Sequence, residues 1–234
     1  MASLYRLFLS LAATKGRLAG LLVLGGVAAV VGFAVGSNDV SDHVEDGTLM
    51  IAGLGLALIA PVVALVISSS VLGDPTEDGT LVYLTLRPVP RWHIAAAAMA
   101  ASLTVTVPVV VVPLAISASL TNAGGELVTA TIASCAVAAA AYSGLFTFLG
   151  LRIKRAMPWG LAYILVWEGF VARAGAGAEF LSVRAHTVSL LTRLADGPRR
   201  LESSSLAMSI IVPLAAAAIA GVFTVRRLQK QDVA

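Results

Sequence analysis

Glu168 is the acidic side chain that stands well inside an apolar segment, and it is the first place to look for chemistry in this chain. An ionisable group in a membrane-length apolar run is by default a substrate contact or a proton relay. The structural alternative is a carboxylate that hydrogen-bonds the backbone of a re-entrant loop beginning just beyond it, or pairs with an arginine there. The histidines offer less. His43, His93 and His186 are scattered at segment ends, and none has a second histidine one helical turn away, the spacing a membrane metalloprotease needs. His43 lies among Asp39, Asp42, Glu45 and Asp46, which reads as a solvated loop. Ala141-Tyr142-Ser143-Gly144 lacks the leading glycine of an intramembrane serine protease, and no histidine falls within a span. A glycine-rich phosphate loop ending in Lys-Ser/Thr is absent, so the chain has no ATPase motif of its own. The single cysteine, Cys135, sits in an apolar run and has no partner for an intrachain disulfide. These residues point away from an enzyme, and metal or cofactor sites within the chain are not expected.

The most polar interruption is Gly73 to Trp92, GDPTEDGTLVYLTLRPVPRW, between the apolar runs Thr48–Leu72 and His93–Leu120. Each run is long enough to cross a bilayer, so both ends of this segment fall on one side. Asp74 followed by Pro75 and Glu77 has the order of a capping box, with acidic charge at the positive end of a short helix. Leu81, Leu84 and Thr85 then share a face, and the helix is expected to stop before Pro88 and Pro90. Arg87 and Arg91 mark the side as cytoplasmic.

The residues Glu77, Gly79, Thr80, Leu81, Leu84, Pro88, Val89 and Arg91, placed between a second and a third apolar run, resemble a motif in the membrane (permease) subunit of type-two ABC exporters. In that family this segment is a coupling helix that docks on a separate ATPase subunit. The resemblance implies a partner-binding surface formed by Asp74, Glu77, Asp78, Gly79, Thr80, Leu81, Leu84, Arg87, Pro88 and Arg91. It also implies ATP and Mg bound by the partner ATPase, and a second permease copy or paralogue to complete the translocation path. Trp167-Glu168 also looks like a pair that recurs in some related permeases. Without the resemblance, the segment reads as an ordinary capped cytoplasmic loop. The competing functions are a proton- or ion-coupled secondary transporter using Glu168, and a membrane scaffold that transports nothing.

The elements that would position these residues follow from composition. The chain is 58% hydrophobic and only 12% charged, about half the charge of an average soluble domain, and its mean hydropathy is +0.91. The expected fold is an all-α membrane protein with six transmembrane helices in a single domain, residues 1–234. Residues 1–17 form an interfacial helix on the lipid bilayer, with Leu4, Leu7, Phe8 and Leu11 on one face. A signal peptide ending near Ala34 and Gly36 competes for the first segment, but five more apolar segments follow, so Leu18–Gly36 is read as a retained span. Ser37–Gly47 is acidic and reads as an outside loop. The second span, Thr48–Leu72, should kink at Pro61, with Ser68 to Ser70 available to satisfy freed backbone groups. The third, His93–Leu120, opens with small residues suited to close packing. A turn at Thr121–Glu126 leads to the fourth span, Leu127 to about Leu151. Met157–Ala172 is a short fifth span, residues 173–205 form an outer re-entrant segment, and Leu206–Val225 is the sixth span. Eleven of the sixteen Lys and Arg residues then fall on one side, which places both termini and residues 73–92 in the cytoplasm of a multi-pass cell-membrane protein. The net charge of +3 calls for no nucleic acid.

Overall fold

The computed structural model describes residues 2–38, 42–82, 89–171 and 176–230, and among them there is no strand. Five helical stretches are long and apolar enough to cross a membrane: Lys15–Ser37, His43–Glu77, Arg91–Leu120, Gly125–Arg152 and Arg199–Lys230. In chain order the helices are α1 (Ala2–Ala12), α2 (Lys15–Ser37), α3 (His43–Met50), α4 (Ala60–Glu77), α5 (Arg91–Leu120), α6 (Gly125–Arg152), α7 (Ala156–Ala162), α8 (Ala176–Phe180), α9 (Val183–Leu194) and α10 (Leu206–Lys230). A π-helical stretch, Ile51–Ile59, joins α3 to α4, and a second, Tyr163–Glu168, continues α7.

Small residues set how these helices meet. With no solvent-driven hydrophobic effect between helices in lipid, close backbone approach and interhelical hydrogen bonds supply the association. Gly25 of α2 faces the Pro113 ring of α5, and a Cβ at Gly32 or Gly36 would overlap the carbonyls of Ser117 and Leu120. The Ser117 hydroxyl donates to Ala28 O at 2.6 Å across the same contact. These contacts advance together along both helices, so α2 and α5 are parallel. The same reasoning makes α3–α4 parallel to α6, since Gly47 meets Leu127 at one end and Gly73 meets Gly150 at the other. Gly144 meets Ala217, and the Phe148 and Phe223 rings lie 5.9 Å apart, so α10 is also parallel to α6. The core lies between α4, α5 and α6, where Leu56, Ile67, Leu72, Leu114, Tyr142 and Phe146 are buried. Exposed apolar side chains are concentrated outside it, among them Leu22, Val23, Val30 and Phe33 on α2 and Ile211, Ile219 and Val222 on α10.

Parallel α6 and α10 require the chain between them to return. α7 and its π-helical extension begin that return, with the Tyr163 ring edge-on to Phe146 and Gly160 against Leu65. Their thirteen residues cover about 20 Å, short of a hydrocarbon core of about 30 Å. The fifth span expected at Met157–Ala172 is therefore a partial crossing in its described portion, and among the described residues five helical stretches are long enough to cross a membrane on their own. α9 completes the return, from Glu168 at its start to Ala195–Pro198, which shares a cavity wall with Asp42, Glu45 and Glu126 near the α3 and α6 starts.

Other expectations are corrected locally. The second span begins at His43 rather than Thr48, because the Asp42 carboxylate caps α3 by accepting from Val44 N (2.9 Å) and Glu45 N (3.1 Å). The irregularity near Pro61 is the π-helix immediately before it. Ser69 and Ser70 donate to Leu65 O and Ile67 O, not to the carbonyl freed by Pro61, while Ser102 of α5 donates to Ser68. On α1 the packed face is Leu4, Phe8 and Ala12 with Leu7 exposed, since the helix lies against α5 and α4 and its Tyr5 hydroxyl donates to Thr104 at 3.0 Å.

Candidate functional site

The segment 73–92 has a different local structure from the one its residue order suggests. Asp74, Pro75 and Glu77 are the last turn of the continuous helix α4, not the capped start of a separate one. The apolar run of α4 carries through Pro75, which removes one backbone donor there. The helix ends at Asp78, whose N–H bonds Asp74 O at 2.9 Å, and at Gly79, whose φ of 68° is the left-handed conformation of a C-terminal stop. The Thr80 hydroxyl reaches back to Pro75 O at 3.4 Å. Leu81 is buried against the chain's own core and so is not part of a free docking face. Val82 is half exposed. Leu84, Thr85, Arg87 and Pro88 lie outside the described residues. Val89 packs partly on the core, Pro90 is the residue before α5, and Arg91 opens it.

The freed acidic side chains of this turn reach the two neighbouring junctions. Asp74 pairs with Arg17 at 2.8 Å, and Arg17 also donates to Leu11 O at 3.1 Å, which ties the α1–α2 junction to the end of α4. Glu77 accepts from Arg155 N at 2.6 Å, where the chain turns from α6 into α7 with Arg155 at φ 55°. A helix dipole disfavours acidic groups at a C-terminus; the cationic side chain and the backbone donor supply the compensation. Three junctions at one end of the bundle are thus joined through Asp74 and Glu77. The sequence holds no short-range signal for either contact, because the partners lie 57 and 78 residues away.

At Glu168 the geometry is that of a cap. One carboxylate oxygen accepts from the Tyr163 hydroxyl (3.0 Å) and Val183 N (3.2 Å), and the other from the Ser182 hydroxyl (2.5 Å) and Arg184 N (3.4 Å). Ser182 is itself the N-cap of α9, accepting from Ala185 N at 3.0 Å. A buried carboxylate therefore sits on the positive end of α9. Ser182 ahead of the run Val183–Leu194 is the N-cap signal that could have located this helix start from sequence. Beyond it, His186 is held between Phe180 O (2.8 Å) and the Ser204 hydroxyl (3.1 Å), and Arg193 pairs with Glu202 at 2.9 Å, so the chain entering α10 is fastened to α9.

Among the described residues no cluster of His, Cys, Asp and Glu side chains could hold a metal ion. No protein-family model matches the chain, and no curated protein matches it. Fold and site together define an all-helical protein with several helices suited to a membrane.

Proposed function

We propose that this chain is the permease subunit of an ATP-driven exporter of the type-two ABC class, forming half of a translocation path in the cell membrane. The observation that carries the reading is the convergence of the α1–α2, α4–α5 and α6–α7 junctions on Asp74 and Glu77. A force applied to residues 78–91 by a soluble partner would be passed directly to the first helix and to the helix leading to Glu168. That is the mechanical arrangement a coupling segment needs, and an ordinary loop has no use for it. The partner is a separate ATPase that binds ATP and Mg; the other half of the path is a second copy or a paralogue. The return of the chain through α7 and α9 acts as the remaining crossing, leaving both termini and residues 73–92 cytoplasmic. The four donors on Glu168 favour a structural carboxylate over the relay of a proton-coupled transporter, since a relay needs a face open to exchange.

The test is co-expression with an ATPase encoded beside this chain, reading both co-purification and substrate-stimulated ATP hydrolysis. Leu84→Asp should abolish both, because an unpaired carboxylate desolvated in a contact costs several kcal/mol. Glu77→Gln, which touches the internal junction rather than the partner, should leave co-purification intact. Wild-type hydrolysis and co-purification in Leu84→Asp would remove the support for this reading.

A further inference from the structure

The neighbouring ends of α6 and α10 carry positive charges that the fold leaves without counter-charge. Gly144 meets Ala217 and the Phe148 ring lies 5.9 Å from Phe223, so one turn further along these parallel helices Arg152 falls level with Arg227. Lys154 and Arg155 follow Arg152 closely, and Arg226 precedes Arg227. The ion pairs among the described residues are Arg17–Asp74, Arg193–Glu202 and Arg200–Glu45, which leaves these side chains without a carboxylate partner there. Glu77 reaches this junction, but its carboxylate is turned to the Arg155 backbone N–H. Arg152, Lys154, Arg155 and Arg226 are exposed, whereas Arg227 is half-buried and its Nε is enclosed with no acceptor. A half-buried guanidinium level with a second guanidinium is unfavourable until an anion joins the pair.

The surroundings of the charges identify the anion. Ile219, Val222, Phe223 and Arg226 follow one another at helical spacing on α10, and all four are exposed. An outward apolar stripe therefore leads straight to the cations. Arg152 is the last residue of α6 and Arg227 lies in the last turn of α10, so the charges stand at the ends of two membrane-length helices while the stripe lies within one. A soluble anion would use the charges alone; a lipid with an anionic head uses both. Guanidinium groups match a phosphate in fork geometry, and a zwitterionic headgroup would bring its own cation among these. We propose that the paired ends of α6 and α10 bind an anionic phospholipid of the phosphatidylglycerol type, with its phosphate between Arg152 and Arg227 and its acyl chains along Ile219, Val222 and Phe223. Lys154, Arg155 and Arg226 add to the field that attracts it. The site needs the chain to sit in a bilayer, and it stands whether or not the chain is a permease.

The purified full-length chain is exchanged in detergent into equal amounts of dioleoyl phosphatidylglycerol and dioleoyl phosphatidylcholine, and retained lipid is read by native mass spectrometry. A cation beside a lipid phosphate is worth about fivefold, so two of them should give the wild type roughly a twentyfold preference for the glycerol lipid. Arg152→Gln and Arg227→Gln should each lower that preference about fivefold. Each variant is read as a ratio on the folded species, so a loss of yield does not imitate the effect. Lys15→Gln removes the same charge from exposed Lys15 at the start of α2, which packs on α5, and should leave the preference within about twofold of wild type. Glycerophosphoglycerol, the headgroup without chains, should fail to displace the lipid at equal concentration. A wild-type ratio near one overturns the proposal whatever the variants do. So does a ratio unchanged in either arginine variant. A fall in Lys15→Gln as large as theirs would mean a diffuse field and no site, and displacement by the chain-free headgroup would remove the lipid from the proposal.

Discussion

At the scale of single residues, Glu168 separates what a charge does from what a hydrogen-bond acceptor does. Its two oxygens receive a tyrosine hydroxyl, a serine hydroxyl and two N–H groups from the first turn of α9. Glutamine keeps one acceptor oxygen and replaces the other with a donor, which the Ser182 hydroxyl can accommodate by turning but the Arg184 N–H cannot. Alanine leaves all four donors without their acceptor in a buried place. Glu168→Gln should therefore destabilise by about 1 to 2 kcal/mol and Glu168→Ala by about 3 kcal/mol or more. Thermal unfolding of both variants in one detergent gives the order. An alanine variant that melts with the wild type would mean that the carboxylate does not hold α9 in place. The same logic reaches Asp74, where Asp74→Asn weakens a half-exposed pair with Arg17 and should cost no more than about 1 kcal/mol.

At the scale of elements, the crossing of α4 and α6 depends on glycine. α4 and α6 form the most extensive helix pair in the bundle, and a Cβ at Gly150 would overlap the Ser69 carbonyl, a backbone atom that cannot turn aside. Gly150→Ala should destabilise by about 1 to 3 kcal/mol, the usual cost of overpacking. Gly20→Ala on α2, where an added Cβ meets nothing within 4 Å, should be neutral or slightly stabilising. Equal melting of the two would mean that the close approach is not what holds the pair. This contrast also shows what the sequence could and could not reveal. The existence of the long helices was legible because uninterrupted apolar runs have one solution in lipid. Their ends were less so: Asp74-Pro75-Glu77 has the composition of a helix start, yet the preceding apolar run imposes a helix that passes through it and stops only at Gly79. Leu81 reads as one side of an amphipathic face, and the fold buries it. The contacts of Asp74, Glu77 and Glu168 are tertiary, and no local pattern encodes a partner 57 or 78 residues away.

At the scale of the whole molecule, the parallel packing of α3–α4, α6 and α10 fixes which ends of the chain share a side. Contacts of α6 with Ala217 and Phe223 run in step with Gly144 and Phe148, so Lys230 lies at the same end as Arg152 and the end of α4. The basic residues concentrate at that end, and the proposed orientation, with that end cytoplasmic, rests on the positive-inside rule. Single cysteines in a Cys135→Ser background convert this into a measurement. Thr76 and Thr121 are poor positions, since Thr121 is buried and both hydroxyls are bonded to backbone carbonyls. Asp78, Glu126 and Lys230 are exposed and suited to labelling. An impermeant thiol reagent applied to intact cells should modify a cysteine at 126 and spare those at 78 and 230, which react only after permeabilisation. The inverse pattern, with 78 and 230 labelled and 126 spared, would keep the fold and reverse its orientation. Labelling that divides 78 from 230 would mean that α7 and α9 do not return the chain across the bilayer, and the parallel arrangement of α6 and α10 would fall with it.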